Sequence, residues 1–242
     1  MTAPRLIPGT APVLLIADHA SNAVPPGVDL GIDPALLDSH IAVDIGTTAL
    51  TEALAHALAA PAILATVSRL VIDLNRPPDA AGLVPVASDG HVIPGNVTAN
   101  DSERDLRIAA IHAPYHAAIA DAIARLRPSL LVSIHSFTPA LATAPDLARP
   151  WPVGILYNRD DRAARAGIAA LAARGLHVGD NQPYSGRDLN YTMDRHAEAS
   201  GLPYLGIEIR NDGLDDASGV AHWTTVLTDT IHHVLRVLPS AA

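Results

Sequence analysis

The sequence predicts a single α/β domain over 1–242, with a mixed, mostly parallel sheet flanked by helices. Short apolar runs alternate with helix-period segments from end to end, the pattern of strand–helix units. Two of those runs close on histidine: Val13-Leu14-Leu15-Ile16-Ala17-Asp18-His19 and Leu130-Leu131-Val132-Ser133-Ile134-His135. Interior strands of open α/β sheets gather ligands at their carboxyl ends, so both imidazoles are expected at one sheet edge. No linker or composition break divides the 242 residues.

Residues 12–18 predict the first strand, apolar because an interior strand is covered on both faces. A helix follows over 46–60, with Leu50, Leu54 and Leu58 on one stripe, and Pro61 stops it. Strands are expected near 62–67 and 69–74. The stretch 77–101 is rich in Pro, Gly, Asn and Asp and reads as a long loop, which compact domains keep mostly for function. Asp101-Ser102-Glu103 begins a long helix to about 127, ended by Arg127-Pro128. A strand at 129–135 precedes an irregular Pro- and Ala-rich stretch at 138–151. A strand at 152–157 and a helix at 160–174, closed by Gly175, come next. A short helix near 190–200 leads into strand 203–209, and the last helix spans 216–237.

The apolar fraction of 49% is ample for a core, and the net charge of −9 comes with no basic run. Nucleic acid and anionic membranes are therefore not expected partners, since both attract basic patches. With no cysteine, disulfides, thiolate metal sites and a cysteine nucleophile are excluded. Imidazole and carboxylate are left as metal ligands, a set that suits one zinc ion per chain. The apolar run after Met1-Thr2-Ala3-Pro4-Arg5 is too short for a signal or a membrane span, so a soluble, cytoplasmic protein is expected. Serine-hydrolase, nucleotide-phosphatase and dinucleotide-binding signatures have no counterpart in the chain.

Glu208 ends an apolar strand, where a carboxylate is costly unless it is paired or used. It reads either as a salt-bridge partner of Arg210 or another arginine, or as a general base whose burial tunes its pKa. Ser68-Arg69-Leu70-Val71-Ile72-Asp73-Leu74-Asn75-Arg76-Pro77 ends in an amide and a guanidinium fixed by proline. Such a pair can hold a substrate carboxylate, the guanidinium by its fork and the amide by a directional bond; the plain alternative is an Asx turn. For a third metal ligand, Asn22 has a common spacing from His19 but a weak donor, whereas Asp44 offers a charged oxygen or merely caps the following helix. Asp18 fits better as a carboxylate supporting a ligating histidine. His112 and His116 stand four apart on the long helix; His116 is a candidate substrate contact, with a plain buried or surface histidine pair as the alternative.

At these residues the sequence resembles the N-formylglutamate amidohydrolase family. The blocks that carry the resemblance are Asp18-His19-Ala20-Ser21-Asn22, His40-Ile41-Ala42 to Gly46, Ser68-Arg69 to Arg76, Pro114-Tyr115-His116, Ser133-Ile134-His135-Ser136, Asn181-Gln182-Pro183-Tyr184, and Gly201-Leu202-Pro203 to Asp212. They run in order over about residues 13–225. The resemblance implies a phosphorylase/hydrolase-like fold, shared with zinc carboxypeptidases and aspartoacylase, and a zinc amidohydrolase. In that frame His19 and His135 bind the metal, Glu208 is the base, Arg69 polarises the carbonyl, and Asn75-Arg76 clamp the substrate. Where the wider group has Glu three residues after its first His, this chain has Asn22. The expected substrate is a small anionic N-acyl amino acid, foremost N-formyl-L-glutamate, with Tyr184 or Arg187 contacting its other end.

Overall fold

The computed structural model describes residues 2–238. Its elements in chain order are β1 (Arg5–Ile7), β2 (Val13–Ala17), α1 (Thr47–Leu58), β3 (Ala62–Leu64), β4 (Ala87–Ser88), β5 (His91–Val92), α2 (Pro94–Val97), α3 (Asp101–Arg107), α4 (Ala113–Leu126), β6 (Leu130–Phe137), β7 (Val153–Leu156), α5 (Arg162–Ala172), β8 (Val178–Asp180), α6 (Tyr191–His196), β9 (Tyr204–Arg210) and α7 (Ala217–Val237). A seven-stranded sheet runs β1-β3-β2-β6-β9-β7-β8, and β4 and β5 form a separate hairpin. The β3, β2, β6 and β9 pairings are parallel, while β1 on β3 and β7 on β9 are antiparallel, so the sheet is mixed as expected.

The middle strands carry the core. Every residue of β2 and β6 is buried, as helical cover on both faces requires. Helix α7 packs against both α1 and α5, and α4 packs with α6. The β6–β9 register sets His135 opposite Glu208, and the β7–β9 register sets Glu208 opposite Gly154. The N-terminus of α1 is closed by Gly46 at φ 80°, where a Cβ would lie 2.4 Å from Leu214 Cβ. Only glycine tolerates both conditions.

Four expectations need correction. Residues 69–74 are turns, not a strand, because Ser68 accepts from Leu70 N and Asp73 from Asn75 N, turning the chain before it can pair. The strand expected at 62–67 stops at Leu64. The helix over 101–127 is interrupted by a wide π turn at Ile108–His112, which ends two residues before Pro114. Finally, His135 does not end its strand, which continues two residues to Phe137. Strands β1 and β8 and the β4–β5 hairpin inside 77–101 are too short to leave an apolar signature.

Candidate active site

Four segments converge at the carboxyl ends of β2 and β6. His19 follows β2 by two residues, and Asp44 lies in the turn before α1. His135 is in β6, and Arg69 and Asp73 belong to the turns after β3. His19, Asp44 and His135 each offer one ligand atom, all within 4.8 Å of one another. The Nδ1 atoms of both histidines meet Asp44 Oδ2, at 3.3 Å from His19 and 2.9 Å from His135. Their Nε2 atoms face outward to carboxylates: His19 to Asp73 Oδ1 at 2.7 Å, His135 to Asp18 Oδ2 at 3.5 Å. Carboxylates on the far nitrogens of ligating histidines orient the rings and raise their basicity.

Asp44 does not cap α1; Gly46 occupies that position, and Asp44's carboxyl turns inward to the imidazoles. Burial alone would raise its pKa, but His19, His135 and Arg69 hold it well below the carboxylate range. Arg69 links the two acids, donating from Nη1 to Asp44 Oδ1 at 3.2 Å and from Nη2 to Asp73 Oδ2 at 3.0 Å. Asp18 is anchored by the Tyr115 hydroxyl at 2.6 Å. Two imidazoles and a carboxylate, each backed by a further acid or Arg69, are a donor set that fits a divalent cation. Asn22 lies outside this group, its amide donating to Asp38 Oδ1 at 2.7 Å.

Glu208 enters the same cavity from β9, 6% exposed, and among the described residues its Oε2 has no hydrogen-bond partner. Arg210, its proposed salt-bridge partner, is committed instead to Asp212 at 2.9 Å. Burial is the main cause that pushes the Glu208 carboxyl up to about 7, aided by nearby Asp44 and opposed by His135, His19 and Arg69. A carboxyl that is buried, unpaired and beside a group able to hold a cation can both take and give a proton near neutral pH.

The cavity measures about 170 Å³; its rim holds Asn75, Arg76, Tyr184 and His40, and Phe137, Leu156 and Leu189 give it an apolar wall. Arg76 approaches Asp73 only to 3.9 Å, so its guanidinium is largely uncommitted. Tyr184 accepts from Arg149 Nη1 at 3.1 Å. Arg187 is exposed and does not line the cavity. Nor does His116, which is fully buried with both ring nitrogens engaged.

Sequence reasoning missed Asp73 and His40. Asp73 follows Leu70-Val71-Ile72 as Glu208 follows its own apolar run, so the same rule would have found it. His40 gave no local signal, because its setting is made by a distant residue. Its Nε2 donates to Asp89 Oδ2 at 2.9 Å, and Asp89 also accepts from Ala142 N and Thr143 N, both at 2.9 Å, and from the Thr143 hydroxyl at 2.7 Å. Against the raising effect of burial, these bonds hold the Asp89 carboxyl well below its usual range, on a backbone with φ 40°.

Comparison with known proteins completes the picture. No curated protein matches the sequence. Among solved structures, the gene product Atu2144 from Agrobacterium tumefaciens superposes with TM-score 0.92 and 32% identity, over 98% of this chain and 96% of that one. N-formylglutamate amidohydrolase from Ralstonia eutropha JMP134 shares the fold with TM-score 0.74 and 20% identity, over 98% of both chains. A bacteriophage poly-gamma-glutamate hydrolase shares it more distantly, with TM-score 0.52 and 10% identity over 98% of this chain and 92% of that one. The family model for N-formylglutamate amidohydrolase matches residues 11–214, which include every residue of the cavity. The chain belongs to the N-formylglutamate amidohydrolase family.

Proposed function

We propose that this protein is a zinc-dependent amidohydrolase that cleaves N-formyl-L-glutamate to glutamate and formate. One observation carries the reading. The His19–Asp44–His135 group, the unpartnered Glu208 and the uncommitted Arg76 meet in one cavity of about 170 Å³. That volume is below the roughly 300–1,000 Å³ of drug-sized pockets, which favours one acylated amino acid over a peptide.

Bound by His19, Asp44 and His135, a zinc ion supplies Lewis acidity, which makes water nucleophilic near neutral pH. The residues supply the rest. Glu208 takes a proton from the attacking water and returns it to the amide nitrogen as the carbon–nitrogen bond breaks. Arg69, held by two carboxylates, sets fixed positive charge beside the developing oxyanion. Asn75 and Arg76 hold the substrate carboxylate, so the formyl carbon is brought to the water rather than finding it by diffusion. Phe137, Leu156 and Leu189 exclude bulk water from one side.

Hydrolysis of N-formyl and N-acetyl amino acids by the purified protein, with its metal content measured alongside, tests the reading. Formate release from N-formyl-L-glutamate, lost on chelation and restored by zinc, is the expected result. Full activity after the metal is removed would refute the metal dependence. Tight binding of anionic ligands without turnover would make the protein a binding module on the same scaffold.

A further inference from the structure

Asn75 and Arg76 lie in a stretch of turns, so neither a strand ladder nor a helix sets their aim. The carbonyls of Leu74 and Arg76 and the side chain of Asn75 are held from outside. His116 Nε2 donates to Leu74 O at 3.0 Å, and His112 Nε2 donates to Arg76 O at 3.0 Å. The Thr192 amide donates to Asn75 Oδ1 at 2.9 Å. Since His116 gives its Nε2 proton to Leu74, its Nδ1 is an acceptor, filled by His196 Nε2 at 2.9 Å. The three imidazoles adjoin in a row: 4.3 Å and 48° between the rings of His112 and His116, and 5.2 Å and 15° between those of His116 and His196. The Thr192 amide bond to Asn75 Oδ1 fixes which end of the Asn75 amide accepts, leaving its NH2 as a donor suited to a carboxylate oxygen.

The π turn explains how one helical rod supplies these donors. Before it, Arg107 donates to Val71 O at 2.9 Å and Arg104 to Pro78 O at 2.6 Å, fixing the flanks of the same segment. An α-helix advances about 100° per residue, and an uninterrupted rod would carry His112 and His116 more than about 100° away from the Arg104–Arg107 face. The extra residue in the turn at Ile108–His112 rotates them back over residues 74–76. Single π turns are often kept at functional sites.

We propose that His112, His116 and Thr192, with His196 behind them, are positioning residues that aim the Asn75–Arg76 clamp without touching substrate. The inference rests on the clamp assignment made above. Its test is a mutant cycle on the metal-loaded protein, reading kcat and KM for N-formyl-L-glutamate, calorimetric binding of L-glutamate, and metal content. His112→Phe and His116→Phe keep a packed ring but remove the donor. Each is expected to raise KM and the glutamate Kd by about tenfold, with kcat changed less than about threefold and metal content unchanged. His116→Gln, whose amide can still donate to Leu74 O, should recover most of the loss. In the Arg76→Ala background the Phe changes should cost less than about twofold, because residues acting through one group are not additive.

Full additivity with Arg76→Ala, or a fall in kcat at constant KM, would overturn the positioning role. If a Phe variant does not fold, Thr192→Pro deletes the amide donor to Asn75 together with the long 3.5 Å contact of the Thr192 hydroxyl to Leu74 O, at a first-turn position of α6 where proline is tolerated, and the same KM rise is expected. Unchanged KM and Kd in Arg76→Ala, or no turnover and no glutamate binding at all, would instead sink the clamp itself and the inference with it.

Discussion

Acidification from about pH 7.5 to about pH 5 is expected to cost this protein about 4 kcal/mol of stability through two buried imidazoles. Burial is the main cause that pushes His116 down to about 3, with His112 adding to it, and His196 down to about 4, with Arg195 adding to it. In the unfolded chain both take a proton near the ordinary value of 6.5. Their native pKa values are depressed, so the stability they carry is complete above 6.5 and is lost as the pH falls toward the native values. Each group contributes a slope of about 1.4 kcal/mol per pH unit, and about 1.5 units lie between its unfolded pKa and pH 5, giving about 2 kcal/mol apiece. Against a typical total of about 5–15 kcal/mol, that is a large share. Urea unfolding at both pH values, followed by the fluorescence of Trp151 and Trp223, measures it. In His116→Phe/His196→Phe the loss between the two pH values should shrink by about 4 kcal/mol, whatever the variant's absolute stability. An equal pH dependence in wild type and variant would refute the argument.

Glu208→Gln should lower kcat by about 10²–10⁴-fold while metal content and melting temperature hold, since the change removes a proton carrier and no bonded partner; preserved turnover would remove Glu208 from the chemistry. Asp44→Ala should abolish stoichiometric metal in elemental analysis and Asn22→Ala should not; the reverse ranking would move the third ligand to Asn22. Asp73→Asn is expected to weaken metal affinity by about 10–100-fold in a chelator competition, the usual loss when a carboxylate behind a ligating histidine is neutralised. Arg76→Lys should not recover the kcat/KM lost in Arg76→Ala, because an ammonium cannot fork onto a carboxylate; equal activity of the Lys variant and wild type would argue against a bidentate contact.

The strands of the middle of the sheet were legible because burial on both faces leaves an unbroken apolar run, and the reactive residues of those strands stood out against it. His19, His135 and Glu208 were each read that way, and they share one cavity. Edge elements left no such trace: β1 and β8 have three residues each, and the β4–β5 hairpin has two on each side. The segment after Ser68 misled because Leu70-Val71-Ile72 is apolar and buried without being a strand; its bonds go to local turns and to Arg107. Asp44 could be ranked only by donor chemistry, since nothing local distinguishes an inward carboxylate from a helix cap. His116 misled in the opposite way, its spacing fitting a site while its nitrogens serve the backbone of Leu74 and the ring of His196.

Asp89 ties one residue of the cavity rim, His40, to two segments distant in sequence. One carboxylate, fixed by a handful of bonds, joins the β4–β5 hairpin, the chain at 142–143 and His40. None of those bonds reaches the His19–Asp44–His135 group, so the rim can be loosened without disturbing the floor. Asn at this position keeps the left-handed backbone within reach and weakens every one of the contacts at once. Asp89→Asn is therefore expected to disturb His40 and the β4–β5 hairpin before it disturbs His19, Asp44 or His135.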